Sequence, residues 1–195
     1  MATEFENFLN WLVASLTAEA KKNKFKNPRD FELKIRETIN DKGGFNGYEI
    51  DFDPHPHVFP DISLGEYGIE VKFSEKNTWR SVANSVFESS RDQSVKYIYV
   101  IFGKMGGEPE VKWAKYDDCA MHVRTSHVPR FELEIGTKEP IFNKFGISYP
   151  DFQKLDIHQK MEHIRAYARG RLKKGERMWW LGDDPDDDHS LPIQA

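Results

Sequence analysis

The stretch from Val58 to Phe73 constrains the fold most, because it predicts a β-hairpin with charged residues at defined positions. Side chains alternate between the two faces of a strand, so Glu70 and Lys72 share one face and the apolar residues around them share the other. Two glycines separate Asp61 from Glu70 and let the chain reverse with positive φ where a turn needs it. The returning strand is therefore expected to bring Asp61 beside Glu70.

Two carboxylates and one ammonium group in this arrangement suit metal-assisted hydrolysis. Carboxylate oxygens are ligands that Mg²⁺ prefers, together with water and phosphate oxygens. A bound metal polarises a phosphoryl oxygen and lowers the pKa of a bound water, while Lys72 can orient that water or stabilise developing negative charge. We therefore predict phosphodiester hydrolysis with Mg²⁺ as cofactor, Asp61, Glu70 and Lys72 as catalytic residues, and the Val71 carbonyl as a candidate further metal ligand.

The tripeptide around Glu70 is by itself a weak signal, since an acidic residue two positions before a lysine occurs four times in the chain. The copies at Glu19 and Glu32 lie in helical patterns, where residues i and i+2 do not share a face. The copy at Glu110 is strand-like but has no Pro-Asp pair shortly before it. Only the copy at Glu70 has the hairpin context. The alternative there is a solvated strand face with a surface ion pair, which would stabilise little.

Pro60-Asp61 followed by Glu70-Val71-Lys72 resembles the motif of the PD-(D/E)XK nuclease superfamily, and Trp79-Arg80-Ser81-Val82-Ala83-Asn84 resembles type II restriction endonucleases within it. The resemblance is clearest over residues 45–135. It implies an α/β, restriction-endonuclease-like core with a central mixed β-sheet flanked by helices, Mg²⁺ dependence and double-stranded DNA as substrate. It also implies Asp61 and Glu70 as metal ligands and Lys72 as the catalytic lysine. Some members take a further acidic ligand from a helix before the hairpin, and Glu32 is the candidate here.

The composition is that of a folded protein without disulfides. The chain has 195 residues, of which 38% are hydrophobic and 13% aromatic, enough for one domain with a sizeable core. Its single cysteine, Cys119, excludes an internal disulfide and suits a reducing cytoplasm, and no apolar run is long enough to span a bilayer. We therefore expect a cytoplasmic protein without a membrane partner, with one nuclease domain over residues 1–181 and an acidic tail or linker over 182–195.

The net charge of −4 does not exclude a DNA partner, because a run of aspartates near the C-terminus supplies much of it. The candidate contacts to DNA lie in three basic or polar segments of the chain. They are Arg80 and Asn84, then Arg124, His127 and Arg130, then Arg165, Arg169 and Lys173. For each segment the alternative is an ordinary solvated face.

Hydrophobic periodicity and helix-end signals predict the order of the elements around a catalytic core that spans residues 28–136. The predicted helices are 3–21, 28–40, 79–91 and a basic C-terminal helix over 156–174. The predicted strands outside the hairpin are 47–52, 95–102, 110–114 and 131–135.

Three roles stay open for a protein of this kind. It could be a stand-alone type II restriction or anti-phage defence enzyme, a nuclease effector domain of a larger defence or repair protein, or a non-catalytic DNA-binding module with the same fold. A stand-alone enzyme that cuts palindromic DNA would match a homodimer, because two-fold protein symmetry mirrors the symmetry of the site. A chain that continued past Ala195 into a further domain or partner would favour the effector role.

Overall fold

The structure, a computed structural model, describes residues 3–52, 58–88, 90–125, 128–176, 178 and 181. The chain divides into two compact units, Met1–Lys154 and Leu155–Ala195. His127 and the predicted tail over 182–195 lie outside the described residues. Across the described ranges, no helix is long and apolar enough to cross a membrane.

Two long helices open the first unit and confirm the first two predicted helices. The helix α1 (Glu4–Lys22) begins with a capping box, in which the Thr3 side chain accepts a hydrogen bond from the Glu6 amide and the Glu6 carboxylate accepts one from the Thr3 amide. The helix α2 (Pro28–Asp41) follows Asn27, whose side chain accepts from the Asp30 amide, and has proline at its first position.

In the part of the chain that the structure describes, seven strands form two sheets with mixed α/β architecture. In chain order the strands are β1 (Ile62–Leu64), β2 (Tyr67–Ser74), β3 (Arg80–Ser85), β4 (Tyr97–Lys104), β5 (Glu110–Lys115), β6 (Ala120–Arg124) and β7 (Arg130–Glu134). The first sheet has the order β1-β2-β4-β5, and only its β2/β4 pair is parallel. The second sheet has the order β3-β7-β6 and is antiparallel throughout.

The two helices pack on one face of the four-stranded sheet. The core there contains fully buried apolar residues from both layers, including Leu9, Leu12, Phe31, Ile35, Ile69 and Ile101. Because side chains alternate along β2, Ile69 points into this core while its neighbours Gly68 and Glu70 point to the opposite face. That opposite face is where the charged residues of the hairpin are found.

The segment predicted as a helix over 79–91 instead contains β3, so that prediction was wrong. The apolar spacing of Trp79, Val82 and Val86 fits a helix, but the two valines are β-branched and the window also holds serines and an asparagine, all of which are weak helix formers. The segment forms a strand because β3 pairs with β7, which is remote from it in sequence.

The strand predicted over 47–52 is also absent, although its residues are described. Phe45 and Tyr48 form an isolated bridge across a turn in which Asn46 and Gly47 both have positive φ. Past the turn, the Asp51 carbonyl accepts a hydrogen bond from a side chain, Arg36 of α2, rather than from a neighbouring strand. The alternating pattern in this segment reflects a loop in which only Ile50 is buried.

Three short helices cover the second sheet. They are α3 (Tyr116–Cys119), α4 (Ile141–Phe145) and α5 (Tyr149–Lys154). Their aromatic side chains pack with Phe131 of β7, which lies within 6.4 Å, between ring centroids, of each of Tyr116, Phe142, Tyr149 and Phe152. This aromatic cluster gives the second sheet its buried face.

The second unit contains the helix α6 (Ile157–Arg169). The Asp156 side chain caps the start of this helix by accepting a hydrogen bond from the Gln159 amide. The helix therefore starts where the prediction placed it. The prediction extended this helix to residue 174, but it ends at Arg169 and is followed by Gly170, a poor helix former, as the C-cap. Arg165 and Arg169 thus lie on the helix, and Lys173 lies beyond it.

Candidate active site

The register of the hairpin sets Asp61 opposite Glu70. Ile62 pairs with Ile69 in the antiparallel β1/β2 ladder, so the next step of that ladder places Asp61 against Glu70. Directly opposed residues of an antiparallel pair project from the same face of the sheet. The two carboxylates therefore emerge together, which confirms the hairpin geometry expected from the sequence.

The turn of the hairpin uses its two glycines differently from the expectation. Gly65 has φ +63°, as a tight reversal requires, whereas Gly68 lies inside β2 without a positive φ. A Cβ at Gly68 would collide with the side chains of Pro60 and Val95. Gly68 therefore permits close packing of Pro60, the residue before Asp61, rather than a change of chain direction.

The Asp61 carboxylate is held by a main-chain hydrogen bond. Its Oδ2 accepts from the Val71 amide at 2.7 Å, at a point where β2 extends past the end of β1. Burial and the negative charge of Glu70 raise the pKa of Asp61 to about 7, against the opposing effects of the Val71 hydrogen bond and the positive charge of Lys72. The pair thus resists holding two negative charges when no cation lies between them.

Glu70 and Lys72 form an ion pair on the same face of β2. Lys72 Nζ lies 2.7 Å from Glu70 Oε1, and the side chains are only 15% and 6% exposed. A pair so little exposed is screened weakly by solvent, so the ammonium group stays close to both carboxylates. Asp61, Glu70 and Lys72 are therefore brought together as predicted.

Arg36 of α2 fixes the main chain of the hairpin from outside. Its guanidinium donates to the Asp61 carbonyl at 2.5 Å and to the Asp51 carbonyl at 2.6 Å, and both Nε and Nη2 donate to Glu32 Oε1, the shorter bond being 2.7 Å. The residue is 4% exposed. Glu32 is therefore engaged by Arg36, although its charge contributes to the raised pKa of Asp61.

We expect replacement of Arg36 by Met to lower the free energy of unfolding by about 2 to 4 kcal/mol, because three oxygens lose the donors of a buried guanidinium group. Lys34→Met is the matched control on the same helix, since Lys34 forms only a surface ion pair with Glu37 at 3.4 Å. Its effect should stay within about 0.5 kcal/mol. Urea unfolding of both variants measures the difference, and equal effects would contradict the role given to Arg36.

The donor set fits a hard divalent cation. Asp61 and Glu70 each use one carboxylate oxygen in the contacts above, and their second oxygens accept no hydrogen bond from the described residues. A cation between them would remove the repulsion that raises the pKa of Asp61. In the described part of the chain, no three His, Cys, Asp or Glu side chains are grouped to hold a metal, so a cation bound here would have this pair as its side-chain ligands. Carboxylates supplemented by water and main-chain oxygens are typical of Mg²⁺.

A buried polar cluster lies behind Glu70 and was not predicted. Its centre is Glu88, which is buried and has φ +46°. The Glu88 carboxylate accepts hydrogen bonds from four side chains, those of Asn84, Arg91, Tyr149 and Gln153. Tyr116 donates to Asn84, and burial together with the charges of Glu88 and Glu70 raises its pKa well above the usual value. Tyr116 is the member of this cluster through which it interacts electrostatically with Glu70.

The residues predicted to contact DNA fall into different environments. Asn84 belongs to the buried polar cluster rather than to an outward helix face, because β3 replaces the predicted helix. On the second sheet, Arg80 and Arg124 both bind Glu132, and Arg130 is exposed. Arg169 donates to the Leu181 carbonyl at 2.8 Å within the second unit. Contact of any of these residues with DNA stays a prediction.

Sequence reasoning missed Arg36, Glu88 and Glu132. The ion pair of Arg36 with Glu32 could have been predicted, because side chains four residues apart on a helix lie close enough to pair. Glu132 gave no such signal, since its partner Arg80 lies 52 residues away. Glu88 has two partners nearby in sequence, Asn84 and Arg91, but its hydrogen bonds with Tyr149 and Gln153 are remote and no local pattern indicated them.

No protein-family model matches this chain, and neither the curated proteins nor the solved structures contain a match to it. A function is therefore supported by the geometry of Asp61, Glu70 and Lys72.

Proposed function

We propose that this protein is a Mg²⁺-dependent endonuclease that hydrolyses phosphodiester bonds of double-stranded DNA, built on a restriction-endonuclease-like core. The observation that carries the proposal is the meeting of Asp61, Glu70 and Lys72 on one face of the β1/β2 hairpin, with Lys72 Nζ 2.7 Å from Glu70. A purely structural ion pair would not need a second carboxylate whose pKa is raised to about 7.

Each residue of the site has a distinct task in this proposal. The carboxylates of Asp61 and Glu70 would hold Mg²⁺, with the Val71 carbonyl as a further ligand. When bound, Mg²⁺ polarises the phosphoryl oxygen and lowers the pKa of a coordinated water. The Val71 amide fixes the rotation of the Asp61 carboxylate, because it donates to Oδ2.

Lys72 supplies a positive charge at the reacting phosphate. Its ammonium group can donate hydrogen bonds to the attacking water and to the oxygens on which negative charge increases. Glu70 holds the ammonium group in place through the ion pair, so little reorganisation is needed at the moment of reaction. The proposed biological setting is restriction or anti-phage defence in the cytoplasm.

Incubation of the purified protein with supercoiled plasmid, in Mg²⁺ or in EDTA, tests the proposal. We expect cleavage in Mg²⁺ only, and none by Glu70→Gln. Discrete fragments would identify a sequence-specific restriction-type enzyme, and a smear would identify a nonspecific effector domain. Intact plasmid in Mg²⁺ would contradict the proposal and favour a non-catalytic DNA-binding module.

A further inference from the structure

The outer face of the second sheet carries two arginines that share one carboxylate. Arg80 of β3 donates through Nε and Nη2 to Glu132 Oε1 and Oε2 at 2.8 and 2.9 Å. Arg124 of β6 donates through Nη2 to the same Oε1 at 2.7 Å. Glu132 lies on β7, the strand between the other two, so one side chain links all three strands of the sheet.

The position of Glu132 on the outer face follows from the alternation along β7. Phe131 and Leu133 are fully buried on the inner face, against the aromatic cluster. Glu132 therefore points outward, yet it is 2% exposed, because the two arginine side chains cover it. The arginine side chains themselves are 44% and 54% exposed.

The carboxylate orients both guanidinium groups and uses only some of their donors. A guanidinium has five N–H donors, and Arg124 contributes one nitrogen and Arg80 two to Glu132. Their hydrogen bonds hold the pKa of Glu132 at about 2, so this orientation persists through the physiological pH range. Two half-exposed guanidinium groups with fixed planes, and with N–H donors that the side chains of the described residues do not take up, match the geometry of a phosphate group.

The charge balance of the face also favours an anion. Arg130 projects on the same side of β7 as Glu132 and is exposed, while Glu134 lies two residues beyond. The three arginines of this face thus outnumber its two glutamates. Arg130 pairs directly with Arg124 across the β6/β7 ladder, which places two like charges side by side and leaves an unneutralised positive edge.

The strand β3 connects this face to the candidate active site. Trp79, the residue before Arg80, has its ring centroid 5.7 Å from that of Phe102. Phe102 is in register with Lys72 in the parallel β2/β4 pair. The outer face of the second sheet, at Arg80, is therefore close in sequence and in space to residues that pack beside the strand of Lys72.

We propose that Arg80 and Arg124, oriented by Glu132, form a binding site for a backbone phosphate of duplex DNA. This inference rests on the proposed function in taking DNA as the partner, and it goes further in assigning the phosphate contact to the second sheet and in making Glu132 its positioning residue. The competing role for the three side chains is to join β3 to β6, with no ligand.

Binding of a short labelled duplex, measured by fluorescence anisotropy in EDTA at several salt concentrations, tests the inference without requiring cleavage. Arg80→Ala combined with Arg124→Ala should weaken binding at least tenfold and lower the slope of log affinity against log salt by about two, about one for each lost phosphate contact. Arg29→Ala, at an exposed position of α2, removes one positive charge elsewhere and should leave both quantities close to the wild-type values.

Glu132→Gln and Glu134→Gln separate orientation from charge, because each makes the same face more positive by one charge. If Glu132 positions the arginines, Glu132→Gln weakens binding about three- to tenfold while Glu134→Gln leaves it unchanged or tighter. Equal tightening by both substitutions would overturn the positioning role. Should Glu132→Gln fail to fold in a urea titration, Arg124→Ala alone, which keeps the Arg80–Glu132 pair, must still lower the salt slope by about one.

The two proposals fail in distinguishable ways. Duplex binding that depends on Arg80 and Arg124, without cleavage in Mg²⁺, would overturn the proposed nuclease activity and support the phosphate site. Cleavage by a protein whose duplex affinity is insensitive to both arginines would support the nuclease activity and overturn the phosphate site.

Discussion

Replacing Lys72 by Ala is expected to lower the single-turnover rate of duplex hydrolysis by on the order of a hundredfold or more. The ammonium group lies 2.7 Å from Glu70 on a side chain that is only 15% exposed, so solvent cannot substitute for it. The loss should appear in the rate at saturating enzyme and much less in duplex affinity, because Lys72 acts on charge that develops during the reaction. Rapid-quench measurement with an end-labelled duplex, at several enzyme concentrations, separates the rate of hydrolysis from the duplex affinity.

The chain supplies a matched control in Lys112→Ala. Lys112 ends the tripeptide Glu110-Val111-Lys112 on β5 and pairs with Glu110 at 3.4 Å, but no second carboxylate faces that pair across a hairpin. Its replacement should change the rate by less than about twofold, as expected for an exposed pair. A similar loss in both variants, or full activity of Lys72→Ala, would contradict the assignment of Lys72.

Replacing Asp61 by Asn is expected to stabilise the protein in EDTA at pH 8 by about 2 to 4 kcal/mol. The ordinary pKa of an aspartate is 3.8, and burial together with Glu70 raises that of Asp61 to about 7. The folded state therefore binds more protons than the unfolded state between these pH values, and it loses stability as the pH rises through this window. Asn carries no charge, and its amide oxygen can still accept from Val71.

Urea unfolding of Asp61→Asn and of the wild type from pH 4 to pH 8 measures this effect. The difference should be smallest near pH 4 and reach its full size above pH 7, and saturating Mg²⁺ should reduce it by stabilising the wild type alone. Asp151→Asn is the control, because hydrogen bonds with Lys154 and Ser148 lower the pKa of that exposed carboxyl. It should give no gain at pH 8. A pH-independent difference for Asp61→Asn would contradict the raised pKa.

Local signals were sufficient to predict much of the first unit and its site. Hydrophobic periodicity and helix-end signals placed the predicted helices 3–21 and 28–40 within one residue of the starts of α1 and α2, and alternation correctly indicated β2. The position of Asp61 beside Glu70 followed from strand alternation and a short turn, both of which are properties of neighbouring residues.

The error with the largest effect on the fold concerns a segment whose conformation depends on remote partners. Trp79 and Val82 have helical spacing, but β3 forms because β7 pairs with it and Arg80 binds Glu132 across 52 residues of sequence. Arg36 reaches the Asp61 carbonyl across 25 residues, so no local pattern indicated this hydrogen bond. The second sheet and the support of the hairpin are therefore long-range properties that periodicity alone does not determine.

The pH dependence of duplex cleavage at two Mg²⁺ concentrations tests most directly whether Asp61 and Glu70 are the cation site of a nuclease. A proton and Mg²⁺ compete for Asp61, whose pKa without the cation is about 7. The rate should rise with pH, and a tenfold increase in Mg²⁺ should move the midpoint to lower pH by up to about one unit. A midpoint that does not respond to Mg²⁺, or cleavage that persists in EDTA, would contradict the account.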